Sequence, residues 1–151
     1  MGELGLNRNR HFRQGVFVPK NKEKFDGEQA IYRSGLELKY FKKLDENPNV
    51  IKWGSENVVV PYFFENKWHK YYIDLYVVFK VGDKIKKFFI EIKPQEQVEQ
   101  PQIGRFNKQE RYLKECATWQ KNLTKWKYAK EYAEKNGFEF HVLTERDVKG
   151  K

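Results

Sequence analysis

Apolar positions along this chain change period several times, and each change marks an element. From Ser34, Glu37, Tyr40, Phe41 and Leu44 follow the i, i+3, i+4, i+7 spacing of one helical face, predicting a helix to about Asp45 that Asn47 and Pro48 stop. Three segments rich in β-branched and aromatic residues come next, at roughly Glu56–Phe64, Lys67–Lys80 and Ile85–Lys93, with turns at Glu65-Asn66 and Gly82-Asp83. Pro94–Phe106 is polar, holds a second proline at Pro101, and reads as a loop or lid. Tyr112, Cys116, Trp119, Leu123, Trp126 and Tyr132 or Ala133 then recur at helical steps, so 107–135 is helical, as one rod or as two with a break near Asn122. Gly137 ends that helix, Phe138–Leu143 reads as a last strand, and Glu145–Lys151 as a frayed tail.

The order α-β-β-β-α-β implies an α/β protein with a mixed sheet flanked by helices. Residues 1–28 lack sustained periodicity apart from Val16-Phe17-Val18, predicting a basic irregular arm that lies across the domain or reaches a partner. The folded domain is placed at 29–145 and a flexible tail at 146–151. A length of 151 residues suits one such domain, and 17% aromatic residues argue against disorder despite 34% charged ones. The single cysteine, Cys116, excludes an intramolecular disulfide and a multi-cysteine zinc site. No apolar run is long enough to span a membrane and no secretory signal is visible, so the expected location is the cytosol or a particle assembled there.

The formal net charge is +9, and its distribution is informative. The excess lies in residues 1–24 and 105–135, while the rest of the chain balances. A concentrated basic surface attracts polyanions, so Arg8, Arg10 and Arg13, Arg33 before the first helix, and Lys114, Lys121, Lys125 and Lys127 are candidate phosphate contacts. Contacts of this kind supply affinity for a nucleic-acid backbone without sequence readout.

Four charged groups sit where local structure favours apolar ones. Asp74 interrupts the run Tyr71–Phe79, and aspartate is a poor strand residue. In the next strand Glu91 and Lys93 are two apart and share a face, opposite Phe88, Ile90 and Ile92, which predicts one charged face and one core face. A two-residue loop at Gly82-Asp83 sets Val81 opposite Lys84 and, counting back along both strands, Asp74 opposite Glu91. Like charges so placed destabilise a sheet unless a cation lies between them, and a divalent metal is the natural candidate. Magnesium uses one or two carboxylates together with waters and phosphate oxygens, which matches two strand acids opening toward a substrate. Lys93 would sit beside that ion. Glu37 completes a capping box with Ser34, yet it lies along the apolar stripe and therefore points toward the sheet, where a carboxylate needs a partner.

Other chemistry finds no support. The chain has no phosphate-binding glycine loop, no metal-spaced Cys/His set and no nucleophile elbow. His69 reads as a strand-edge or phosphate contact, and His11 and His141 suggest nothing further. Trp119 and Trp126 are at helical spacing beside Leu123, as core residues are.

Glu37 on a helix, Ile73-Asp74 on a strand and Glu91-Ile92-Lys93 on the next resemble the PD-(D/E)XK nuclease superfamily. Tyr32-Arg33-Ser34, Asn47-Pro48-Asn49-Val50 before Trp53-Gly54-Ser55-Glu56, Pro61-Tyr62, and Gly137-Phe138-Glu139-Phe140 with Leu143-Thr144-Glu145 narrow the resemblance to the head completion nucleases of T-even-type tailed phages. That family is similar in turn to the TnsA transposition nucleases. Ile73 departs from the motif's proline, which shapes the strand and is not a ligand. The resemblance runs from about Gln14 to Glu145. It implies a restriction-endonuclease-like fold and a Mg²⁺-dependent endo- or exodeoxyribonuclease, with Mn²⁺ as a substitute ion. Asp74 and Glu91 would hold the metal, Glu37 would be a direct or water-mediated ligand, and Lys93 would deprotonate a water or stabilise charge on the phosphorane. DNA would be the substrate, phage portal or neck proteins the partners, and the host cytoplasm or the virion head the location. A non-catalytic DNA-binding head protein and a transposition-type end nuclease are the other readings of the same residues.

Overall fold

The computed structural model describes residues 14–102 and 108–149. Arg8, Arg10, Arg13 and His11 lie outside the described residues. At the centre is a four-stranded sheet of order β3-β6-β7-β8, built from Val50–Ser55 (β3), Leu75–Val81 (β6), Lys84–Ile92 (β7) and Glu139–Leu143 (β8). β3, β6 and β7 are antiparallel neighbours, whereas β8 runs parallel to β7, so the sheet is mixed as expected. A parallel neighbour requires a crossover, and the long helix α3 (Gln109–Lys135) provides it. It is a single rod that passes through Asn122 without a break.

One sheet face is covered by α1 (Gly35–Glu46). Ser34 caps this helix, accepting from the Glu37 amide at 3.1 Å, and Tyr40, Phe41 and Leu44 are buried against Trp53, Leu75, Val77, Ile90 and Ile92. Trp53 is 0% exposed and meets the rings of Phe17, Phe25 and Phe41. The opposite face is covered by α3 and by a separate hairpin, β4 (Val59–Phe64) with β5 (Lys67–Tyr72). That hairpin closes through Glu65 and Asn66, both in the left-handed region as its two-residue loop requires.

Several boundaries differ from expectation, each for a local reason. Val50–Ser55 is a strand of its own, because Glu56 adopts φ 59° and turns the chain before β4. The run Lys67–Lys80 is two strands in two sheets. At Ile73-Asp74 the backbone leaves the ladder, the Ile73 amide donating to the Val58 carbonyl and the Asp74 carbonyl accepting from Glu56. The buried stripe of α3 is Asn122, Ala129 and Ala133, and Leu123 is exposed, contrary to the expected pattern. Within the stretch read as a loop, Gln95–Val98 forms a short helix, α2. Glu145–Lys149, read as tail, is the helix α4, with the Thr144 amide donating to Asp147.

The described part of the N-terminal segment lies across the domain. Gly15–Phe17 (β1) pairs with Ala30–Tyr32 (β2), and buried Asp45 on α1 accepts from the amides of Lys20 and Asn21 at 3.0 Å each. Phe25 bridges to Trp53, and Lys24 donates to the Asn47 carbonyl. No helix among the described residues is long and apolar enough to cross a membrane.

Candidate active site

The Gly82-Asp83 loop pairs Val81 with Lys84 and keeps the predicted register to Leu75 opposite Ile90. Asp74 is the next residue, at the bend where the chain passes from the hairpin into the sheet. Its side chain accepts from the Ile92 amide, Oδ2 lying 2.8 Å from the nitrogen. Aspartate suits this place because a short carboxylate can satisfy a strand-end amide that the ladder no longer reaches.

Glu91 lies on the adjacent strand, but not on an open charged face. It is 3% exposed, and the same side of β7 carries buried Phe89, so this face lies beneath α3 and the hairpin. The Tyr71 hydroxyl donates to Glu91 Oε1 at 2.6 Å, and Lys93 Nζ stands 3.8 Å from Oε2. Lys93 follows the end of β7, its amide donating to the Leu143 carbonyl at 3.0 Å.

Two carboxylates are thus held close together, each by one protein hydrogen bond, with no further donor on Asp74 Oδ1 or Glu91 Oε2 among the described residues apart from the long Lys93 contact. The electrostatic cost is visible in Asp74, whose carboxyl is pushed well above the usual range by burial and then by the charge of Glu91, with the Ile92 amide opposing. A cation would relieve this strain, and the two open oxygens suit a hard ion such as Mg²⁺ completed by waters and phosphate. Among the described residues no three His, Cys, Asp or Glu side chains are placed to hold a metal ion together, so Glu37 does not join Asp74 and Glu91 as a third direct ligand.

Glu37 has a more local partner than the acidic pair. Its Oε1 accepts from the Arg33 amide at 2.7 Å, so it reaches back one residue beyond the Ser34 amide of a standard capping box. Burial nevertheless raises its pKa, and the charge of Glu91 contributes to that rise, so Glu37 belongs to the same electrostatic neighbourhood. Arg33 forms an ion pair with Glu56.

The lysines of α3 divide into two groups. Lys114 and Lys127 are exposed, whereas Lys121 and Lys125 are half-buried and one turn apart. Lys125 Nζ lies 4.7 Å over the Tyr71 ring. Burial lowers its pKa, with the nearby charges of Glu91 and Asp74 acting in the opposite sense. It is therefore a neighbour of the acid cluster as well as a member of the basic helix.

Tyr71 is the residue the sequence pattern does not single out. Its phase on β5 places it inward, yet nothing short of the tertiary contact shows that its hydroxyl meets an acid twenty residues away. His69 stacks on Tyr62 with ring centroids 5.1 Å apart and bonds the Phe64 carbonyl, a hairpin-closing role. His141 pairs with Glu139 on β8. Trp126 packs in the core beneath the hairpin.

Comparison with known proteins adds a second line of information. Residues 47–145 match the family model described as TnsA-like endonuclease N terminal. The chain is also 40% identical over 139 residues to the "Head completion nuclease" of Enterobacteria phage T4, covering 87% of this chain and 90% of that protein.

Proposed function

This chain belongs to the TnsA-like endonuclease family, with its restriction-endonuclease-like fold, and on that premise we propose that it is a divalent-metal-dependent deoxyribonuclease that processes packaged DNA when a phage head is completed. The observation that carries the reading is the Asp74–Glu91 pair with Lys93 beside it, two carboxylates whose joint ionisation is costly and would be favoured by a bound cation.

Asp74 and Glu91 would hold the ion, with Glu37 reaching it through water. When bound, Mg²⁺ or Mn²⁺ would neutralise charge at the scissile phosphate and lower the pKa of a water so that it can give up a proton to solvent near neutral pH. The chain's own groups then have separate tasks. The Ile92 amide and Tyr71 hydroxyl fix the orientation of the two acids and leave the second oxygen of each available to the ion. Lys93 presents its ammonium to a non-bridging phosphate oxygen and stabilises the charge that grows on it. Lys125 and Lys121 receive the adjoining backbone phosphates and Lys114, two turns before Lys121, extends that track along α3, whereas Lys127, two residues past Lys125, lies on the other side of the helix. The site of action would be the cytoplasm of an infected host, on DNA in a head whose portal or neck proteins are the candidate partners, with the virion head as a further location.

Plasmid nicking by purified protein tests this. Cleavage that requires Mg²⁺ or Mn²⁺, stops with EDTA, and disappears in Asp74→Ala and Lys93→Ala while circular dichroism is retained is the expected result. Cleavage that persists in folded Asp74→Ala would overturn the assignment.

A further inference from the structure

The β4–β5 hairpin buries one face only. Val60, Tyr62 and Tyr71 lie inward against α3, while the outward positions form the cross-strand pairs Val59 with Tyr72, Pro61 with Lys70, and Phe63 with Trp68. Trp68 is 63% exposed, Tyr72 51% and Phe63 42%. The Trp68 ring meets Phe63 edge to face, with centroids 5.3 Å apart, and one edge of it reaches Tyr128 of α3 at 6.2 Å, which leaves most of the ring in solvent. Lys70 stands between Trp68 and Tyr72 on the same side of β5, and Lys67 begins the strand at the hairpin tip. Among the described residues neither lysine has an ion-pair partner.

Aromatic side chains of this size are left in water at a cost when nothing covers them. The make-up of the ladder says what covers it. Tyr72, Lys70 and Trp68 alternate over ~13 Å of β5 at the usual strand rise, on the face opposite Tyr71, whose hydroxyl meets Glu91. Flat rings alternating with an unneutralised cation match nucleotides whose base faces and phosphates are both accessible. In a duplex those base faces are hidden by stacking, so the complementary ligand is unpaired DNA.

We propose that this outward face is a binding platform for single-stranded DNA, on which Trp68 and Tyr72 stack bases and Lys70 meets the intervening phosphate. The choice of DNA as polynucleotide rests on the nuclease reading, but binding to the platform is separable from cleavage.

The test is therefore a binding measurement in EDTA on protein carrying Asp74→Asn, by fluorescence anisotropy with labelled oligothymidylate and with a blunt duplex of equal length. Adding Trp68→Ala and Tyr72→Ala together is expected to weaken single-strand affinity about tenfold or more, and duplex affinity less than about threefold. Trp68→Phe, which keeps a stacking ring, is expected to restore single-strand affinity to within about threefold. Unchanged single-strand binding by the folded double variant, as expected if the face instead serves a protein surface, overturns the proposal. Equal losses on both ligands overturn it too. Plasmid nicking by the parent protein is scored separately, so a failed nuclease reading and a failed platform give different results.

Discussion

Tyr71 and Glu91 are joined by a 2.6 Å hydrogen bond between the phenolic hydroxyl and Oε1, which fastens the peripheral hairpin to the central sheet at the acid of the candidate site. The hydroxyl's own ionisation is suppressed by burial and by the Glu91 charge, so it acts as a donor throughout the accessible pH range. Tyr71→Phe leaves a buried carboxylate oxygen without its donor. A stability loss of about 1–3 kcal/mol is expected in denaturant titration. Cleavage should fall and need more Mg²⁺ for half-maximal rate, because the acid's orientation is lost while its charge is kept. A variant with wild-type metal dependence would show that the hydroxyl does not position the acid.

Asp74 makes the metal-free protein pH-sensitive in a definite direction. Its carboxyl is held above its ordinary value, so the unfolded chain gives up this proton more readily than the folded one. The stabilising contribution is complete below the unfolded pKa and is lost as pH rises through the folded one. Asp74→Asn removes that loss. In EDTA its Tm should therefore exceed wild type by a margin that widens between about pH 5 and pH 8. Mg²⁺ should raise the wild-type Tm at the upper pH and leave Asp74→Asn unmoved. A margin that narrows with rising pH would contradict this account.

Lys125 over Tyr71 allows charge and packing to be separated. Lys125→Met retains the apolar stem, so the fold should be kept with a change within about 0.5 kcal/mol. Loss of one phosphate contact should make the slope of log affinity for duplex DNA against log salt shallower by about 0.9. An unchanged slope would remove Lys125 from the DNA track.

Trp53 is the keystone of the α1 side of the core. It is fully buried among Phe17, Phe25 and Phe41, and the aromatic cavity left by Trp53→Ala cannot collapse around a rigid sheet. The expected cost is about 3–5 kcal/mol by chemical denaturation. Because Phe25 reaches Trp53 from the N-terminal segment, the same variant should expose residues 14–30 to faster proteolysis. Equal protease resistance would argue that this segment is held by the Asp45 amide contacts alone.

Features governed by local rules were legible in the residue pattern. A two-residue loop set the β6–β7 register, and through it the neighbourhood of Asp74 and Glu91. Side-chain alternation put Glu91 and Lys93 on one face, helical periodicity found α1 and α3, and Ser34 marked where α1 begins. The tertiary structure decided everything that depends on residues distant in sequence. It closed α3 over the face of β7 that alternation alone would leave open, and so buried Glu91. It brought Tyr71 to that acid, Lys125 to Tyr71, and the Arg33 amide to Glu37. It also split one long run of strand-forming residues at Ile73-Asp74, where the segment's β propensity yielded to a backbone that must serve two sheets. Propensity and period describe a residue's immediate neighbours, whereas burial and charge pairing are set by which elements meet.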